Sequence, residues 1–419
     1  MSQVLFPCQD TSLQPGLTRR GLFGAGVSFF AWAHMTKLSS AAGARDPRLL
    51  IVLLRGAMDG LSAAPPLADP DYEALRAGIA LRKDGDDAAL PLDGFFALHP
   101  SMKNFARLYK DGKALLVHAA ATGYRERSHF DGQDILESGM PMAGRVESGW
   151  LNRALALMPK GQRVKPLNGL SIGATTPLIL RGLAPVMGWA PQIVAGAGPD
   201  LAERVLDLYT HRDPALGAAL RRGLDTDKLA RAQGMNESSA RGRPGPADPR
   251  AMAVAAEGAA KLMAVPDGPR LAALSFDGWD THANEGGAKG RLANLLAGLD
   301  GAFAALETGL KDVWHDTAVL AITEFGRTAR VNGTDGTDHG TATAAFLLGG
   351  AVKGGRIIAD WPGLKTAQLH DGRDLKPTTD LRGVIKGVLA SHLGLDAARL
   401  GREVFPGSES VRPLDGLTG

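Results

Sequence analysis

Carboxylates and histidines gather in one stretch of this chain, residues 274–341. LSFDGWDTHANE supplies Asp277, Asp280 and His282, AVLAITEFGRT supplies Glu324, and the glycine-rich VNGTDGTDHGT supplies Asp338 and His339. Hard oxygens mixed with imidazoles are the material of a divalent metal site. Asp280 and His282 stand two apart, and in an extended segment such residues face the same way. Asp338 and His339 are adjacent, so a tight loop must bring them together, and Gly333, Gly336 and Gly340 flank them. Asp59, in RGAMDG, is a further candidate ligand. The competing account of these residues is a hydrogen-bonded network without a cation.

The positioning elements follow from apolar runs. Residues 271–276 and 318–323 have strand length and composition, and each runs straight into the acidic and histidine residues. RLLIVLL at 48–54 and ALLVHAA at 114–120 lack polar alternation, as strands buried on both faces do. AAFLLG at 344–349 reads as a strand, and 355–359 as a shorter one. Helical patterns fall between them, at 149–158, 199–235, 251–265 and 379–393. Strands alternating with helices imply an α/β fold, a layered domain with a mostly parallel sheet. Ligand sites in such sheets form where strands end. Residues 62–97, rich in Pro, Asp and Gly, read as a long excursion or lid, 238–250 as a surface loop, and 400–419 as a polar C-terminal extension.

Two serines carry possible nucleophilic chemistry. Ser128, in RERSHFDGQ, stands just past the 114–120 strand where a helix opens. With Asp131 it resembles a capping box, and helix-end N–H groups there favour an anion. Cap and nucleophile are both open roles for it. Ser171 lies in GLSIG, which matches the pattern of a nucleophile elbow, but Pro166, Asn168 and Pro177 around it suggest a strand.

The chain has 419 residues, 44% hydrophobic, with a formal charge of +3. That charge is small for the size, and no basic run interleaved with aromatics is present, so nucleic-acid binding is not expected. Residues 1–44 read as a targeting segment: Arg19-Arg20, an apolar run from Leu22 to Trp32, then a small-residue site at Ala42-Gly43-Ala44. The order resembles a twin-arginine export signal cleaved near Ala44, which implies the twin-arginine translocase as a partner and a periplasmic or exported protein. The apolar run is too short for a stable membrane span. Cys8, the one cysteine, lies inside this segment, which leaves residues 45–419, read as a single domain, without thiol chemistry.

Taken together, Arg19-Arg20, LLRGAMDGL, RSHFDGQ, GWDTH, TEFGRT and TDHG resemble the bacterial domain-of-unknown-function family numbered fifteen-oh-one, a relative of the alkaline phosphatase and sulfatase superfamily. The resemblance implies a three-layer αβα sandwich with a divalent ion (zinc, calcium or magnesium) at the carboxyl ends of the strands. It implies Ser128 as nucleophile and Asp59, Asp280, His282, Glu324, Asp338 and His339 as metal ligands. Arg55, Arg127 and His129 would then face a small anionic ester. Phe325 stands where the superfamily prefers a second metal histidine, so one tight ion site is expected. The resulting reading is an exported metal-dependent hydrolase of phosphate or sulfate esters; the alternative is a non-catalytic envelope binding or assembly protein on the same fold.

Overall fold

A computed structural model describes residues 45–144, 146–158, 169–173, 175–190, 205–206, 209–210, 213–235 and 248–419. The segment read as an export signal, with Cys8, Arg19, Arg20 and Ala44, lies outside the described residues, as do most of the segment read as the 238–250 loop and the start of the one read as the 199–235 helix.

The strands in chain order are β1 (Arg48–Leu54), β2 (Leu90–Pro91), β3 (Ala97–Leu98), β4 (Ala114–Ala121), β5 (Gly169–Ile172), β6 (Val186–Trp189), β7 (Leu271–Phe276), β8 (Thr317–Ile322), β9 (Thr343–Leu348), β10 (Arg356–Ile358) and β11 (Thr379–Asp380). The helices are α1 (Gly60–Ala63), α2 (Tyr72–Leu75), α3 (Lys103–Lys110), α4 (His129–Ser138), α5 (Trp150–Leu157), α6 (Pro214–Ala232), α7 (Arg250–Ala264), α8 (Arg291–Gly309), α9 (Leu381–Leu393) and α10 (Ala397–Arg399).

Nine strands form one sheet in the order β10-β4-β9-β8-β1-β7-β5-β6, with β11 also beside β4. All pair in parallel except β9, which is antiparallel to both β4 and β8. β1 lies at the centre, and every one of its residues is buried. Its side chains alternate between two cores. Leu50, Val52 and Leu54 meet Phe105 of α3, Met252 of α7 and Leu292 of α8. Leu49, Ile51 and Leu53 meet Trp150 of α5 and Val384 of α9. Period-two alternation with both faces apolar is what places helices on both sides, and the result is the expected αβα sandwich.

The direction of the strands decides where the site lies. The carboxyl ends of β1, β4, β7 and β8 share one edge, and antiparallel β9 begins there. Loops 55–59, 122–128, 277–285 and 323–342 therefore converge on that edge.

Three expectations are corrected here. The C-terminal segment is not a polar extension: Leu400, Val404, Phe405 and Leu417 are buried in the second core, and Gly419 N donates to Ala351 O at 3.0 Å. The 62–97 excursion packs down, burying Tyr72, Leu75 and Arg76 and adding the β2–β3 hairpin. Ser128 is the N-cap residue of α4, but its side chain makes no capping bond, so the capping box with Asp131 does not form. Ser171 lies in β5, buried, as the prolines around it indicated. Among the described residues no helix is long and apolar enough to cross a membrane.

Candidate metal centre

Asp280 stands at the middle of the site. Its Oδ1 lies 3.5 Å from His129 Nε2, 3.1 Å from His282 Nε2 and 3.4 Å from His339 Nε2. The two latter nitrogens are 2.9 Å apart. His129 opens α4, Asp280 and His282 follow β7, and His339 precedes β9. His129, Asp280 and His339 each offer one ligand atom, all within 4.8 Å of one another.

The far side of each imidazole faces an acceptor. His129 Nδ1 is 2.9 Å from Glu324 Oε1, His282 Nδ1 is 3.2 Å from Asp338 Oδ1, and His339 Nδ1 is 2.9 Å from the carbonyl of Arg127. An acceptor at Nδ1 favours the ring proton there, in competition with Asp280 Oδ1 at Nε2, and in that tautomer Nε2 keeps a lone pair. Three lone pairs and an anionic oxygen then face one another. Lone pairs of His282 and His339 at this spacing repel unless a proton or a metal ion lies between them. His129 Nε2 is buried and has no hydrogen-bond partner of its own. Ligand atoms around a tetrahedral ion at about 2.0–2.1 Å are about 3.3 Å apart. The separations at Asp280 are of that size.

Charge around the group is set by burial and by Arg327. Burial pushes the Asp280 carboxyl up, but the hydrogen bond and charge of Arg327 outweigh it and hold Asp280 below the ordinary carboxylate range. Arg327 is fully buried. Besides Asp280 it donates to the carbonyls of Ala57 (2.9 Å), Thr337 (2.9 Å) and Gly56 (3.0 Å), so it ties the loops after β1, β7 and β8 together. Glu324 is likewise pushed up by burial and brought below its usual range by hydrogen bonds from His129, Gln133 and Gly56 N–H. The bond to Glu324 raises His129 above the ordinary histidine range, against burial. Burial lowers His339, and the neighbouring His129 adds to that.

Phe325 is the floor of the site. Its ring stacks under His129 at 5.0 Å between centroids. Gly132, one turn into α4, leaves it room: a Cβ there would lie 3.0 Å from the Phe325 ring. Two other glycines permit the close loop packing. A Cβ on Gly56, at φ +117°, would meet Asp280 N at 2.6 Å, and one on Gly336 would meet the His282 backbone at 2.4 Å.

The residues singled out from the sequence divide as follows. His129, Asp280, His282 and His339 come together, with Glu324 and Asp338 behind the rings rather than among the converging atoms. Asp59 is not brought to the group. It caps α1 through Leu61 N (2.9 Å) and is ion-paired to buried Arg76. Arg55 pairs with Glu137, and Arg127 with Asp374 (2.8 Å) and Asp371 (3.2 Å), so each guanidinium already holds a carboxylate. Asp277 is exposed and outside the group. Ser128 lies between Arg127, whose carbonyl holds His339, and His129. Sequence reasoning missed Arg327 and Gln133 and took His129 for a substrate contact. The signal for Arg327 was its place within TEFGRT, directly after a strand end.

Fold and site define an αβα protein with a histidine–carboxylate centre at the carboxyl edge of its sheet. The chain belongs to the family described as protein of unknown function (DUF1501), whose model matches residues 46–405. Solved structures it is similar to include phosphonate monoester hydrolase of Agrobacterium radiobacter, with 12% identity, a TM-score of 0.36, and 84% of this chain and 74% of that one covered. Another is alkaline phosphatase from the Antarctic bacterium TAB5, with 13% identity, a TM-score of 0.33, and 74% and 94% covered. A third is murine ectonucleotide pyrophosphatase/phosphodiesterase 5, with 9% identity, a TM-score of 0.32, and 67% and 57% covered. No curated protein matches the chain.

Proposed function

We propose that this protein is a metal-dependent hydrolase of phosphate or sulfate esters that acts after export. The observation that carries the metal is the facing set of Nε2 atoms around Asp280 Oδ1, each ring held by an acceptor at its Nδ1. Metal-binding histidines are held in this way by outer partners. His129, Asp280 and His339 would hold the ion, with His282 beside them. A divalent ion bound there supplies Lewis-acid stabilisation of charge on an ester oxygen and lowers the pKa of a bound hydroxyl or water.

The chain's own part is to position the ester and the attacking group. Asp280 and His129 keep 40% and 24% of their side-chain surface, which fits a centre with an open position rather than a closed structural one. Ser128 spends no hydrogen bond on capping α4, which suits a hydroxyl with another task. The free N–H groups at the start of α4 favour the anionic oxygens of an ester.

One observation favours a second reading, an envelope protein that holds a metal without turnover. Both arginines expected to clamp an anion are already paired. A single experiment separates the two: elemental analysis of the purified mature protein together with turnover of aryl phosphate and aryl sulfate. The hydrolase reading expects stoichiometric metal and turnover that disappears in Ser128→Ala. Stoichiometric metal without turnover supports the second reading, and absence of metal ends both. Ser128→Ala should change stability by less than about 0.5 kcal/mol, since no capping bond is lost.

Export through the twin-arginine route belongs to the same proposal and rests on the Arg19-Arg20 segment. Replacing both arginines by lysine should leave the precursor in the cytoplasm; normal periplasmic amounts of the double variant would remove this part.

A further inference from the structure

Glu285 follows His282 in the loop after β7 and is completely buried. Its Oε2 accepts the hydroxyl of Thr281 at 3.0 Å and the hydroxyl of Thr337 at 2.7 Å. Thr281 stands between Asp280 and His282, and Thr337 immediately precedes Asp338 and His339. One carboxylate oxygen thus joins the two loops that carry three of the four converging side chains.

The other oxygen is fixed to the frame. Ser62 Oγ donates to Glu285 Oε1 at 3.1 Å, and Arg76 Nη2 lies 3.6 Å from it. Ser62 belongs to α1, directly behind β1. Arg76 is fully buried, pairs with Asp59 and donates to the Thr328 carbonyl at 3.1 Å. Two buried carboxylates around one guanidinium are costly to desolvate, and apolar side chains would fill such a space at less cost. What apolar side chains cannot do is accept two hydroxyls from two different loops. No hydrogen bond or ion pair among the described residues joins Glu285 to the imidazoles or to Asp280.

We infer that Glu285 is a positioning residue of the candidate centre. Anchored by Ser62 and Arg76, it sets the separation of the loops at 277–285 and 332–339, and with it the spacing of Asp280, His282 and His339. The part of this inference that concerns metal affinity rests on the hydrolase reading above; the part that concerns the geometry of the rings does not.

The test uses mature protein carrying Glu285→Ala, Glu285→Gln, or Thr281→Val with Thr337→Val. Two quantities are read. The first is the imidazole nuclear magnetic resonance signals in metal-free protein, with distant His392 as control. The second is the dissociation constant for zinc by competition with a chromophoric chelator. In Glu285→Ala and in the double threonine variant, the His282 and His339 signals should move while His392 stays. Zinc binding should weaken about tenfold or more, the scale of outer-shell changes. Glu285→Gln should recover most of the affinity, because its amide oxygen accepts both hydroxyls. If Glu285→Ala does not fold, the threonine variant decides, since it loses two hydroxyls and no volume. Folded variants with unmoved imidazole signals and wild-type zinc binding overturn the inference. If the wild type takes up no zinc, the part that concerns metal affinity falls, and the imidazole signals alone decide for or against Glu285.

Discussion

Glu324→Gln separates a carboxylate that orients a ring from one that binds an ion. Glu324 Oε1 accepts from His129 Nδ1 (2.9 Å), Gly56 N (2.9 Å) and Gln133 Nε2 (3.1 Å), and Oε2 lies 2.9 Å from Thr323 Oγ1. An amide of the same shape keeps the first three bonds through its oxygen. Its NH2 group then donates to Thr323 Oγ1, whose own proton goes to Leu54 O at 2.6 Å. Each of the four present partners stays paired, so the cost is the difference between charged and neutral hydrogen bonds, about 1–2 kcal/mol, plus that of the second amide N–H, which has no acceptor among these partners. The charge that makes His129 a stronger donor of its ring electrons is lost, however. Outer partners of this kind are worth ten- to hundredfold in metal affinity, or about 1.4–2.7 kcal/mol. Zinc competition titration reads the affinity, and urea melting of the metal-free protein reads the stability. A zinc dissociation constant within twofold of wild type refutes the orienting role. Loss of all measurable binding in a folded variant makes Glu324 a direct ligand instead.

Two further outcomes follow from the same geometry. Chelation should lower the melting temperature, since metal at a hundred times its dissociation constant adds about 2.7 kcal/mol. His339→Ala should melt alike with and without chelator, and a wild type indifferent to chelator would favour the cation-free network. Glu285 predicts a pH dependence. Burial first, and the charge of Asp59 second, push its carboxyl up to about 8 from an ordinary 4.5. The native state keeps a proton that the unfolded chain releases, so this contribution is whole below pH 4.5, declines as pH rises and is gone above about 8. Urea melts across that range should show the decline in wild type and a flatter profile in Glu285→Gln; equal slopes would dismiss it.

The divided treatment of the carboxylates explains why the site was only partly legible. Asp59, Asp280, Glu324 and Asp338 look alike in sequence, since each is an acid at or after a strand end. Their roles depend on which neighbour neutralises them. Arg76 reaches Asp59 from the 62–97 excursion and Arg327 reaches Asp280 from the next loop. Neither pairing leaves a local pattern, because the partners stand 17 and 47 residues apart, beyond any helix or strand spacing. Glu285 carried no signal either, standing in polar THANE with nothing to mark it as buried.

The sequence by itself determined the long buried strands, the layers and the edge. Unalternating runs such as RLLIVLL can only be buried on both faces, so helices must cover both sides of the sheet. Polar residues directly after such runs must then collect where the strands end. Local composition is enough for these, because hydrophobic periodicity is a local property. The tertiary structure alone decided that β9 turns back antiparallel, which brings His339 to the same edge as Asp280. It alone decided that His129 faces the centre with Glu324 behind it, and that the last residues of the chain are core. Those are matters of which side chains meet across the sheet, and that is settled by packing and charge pairing between loops.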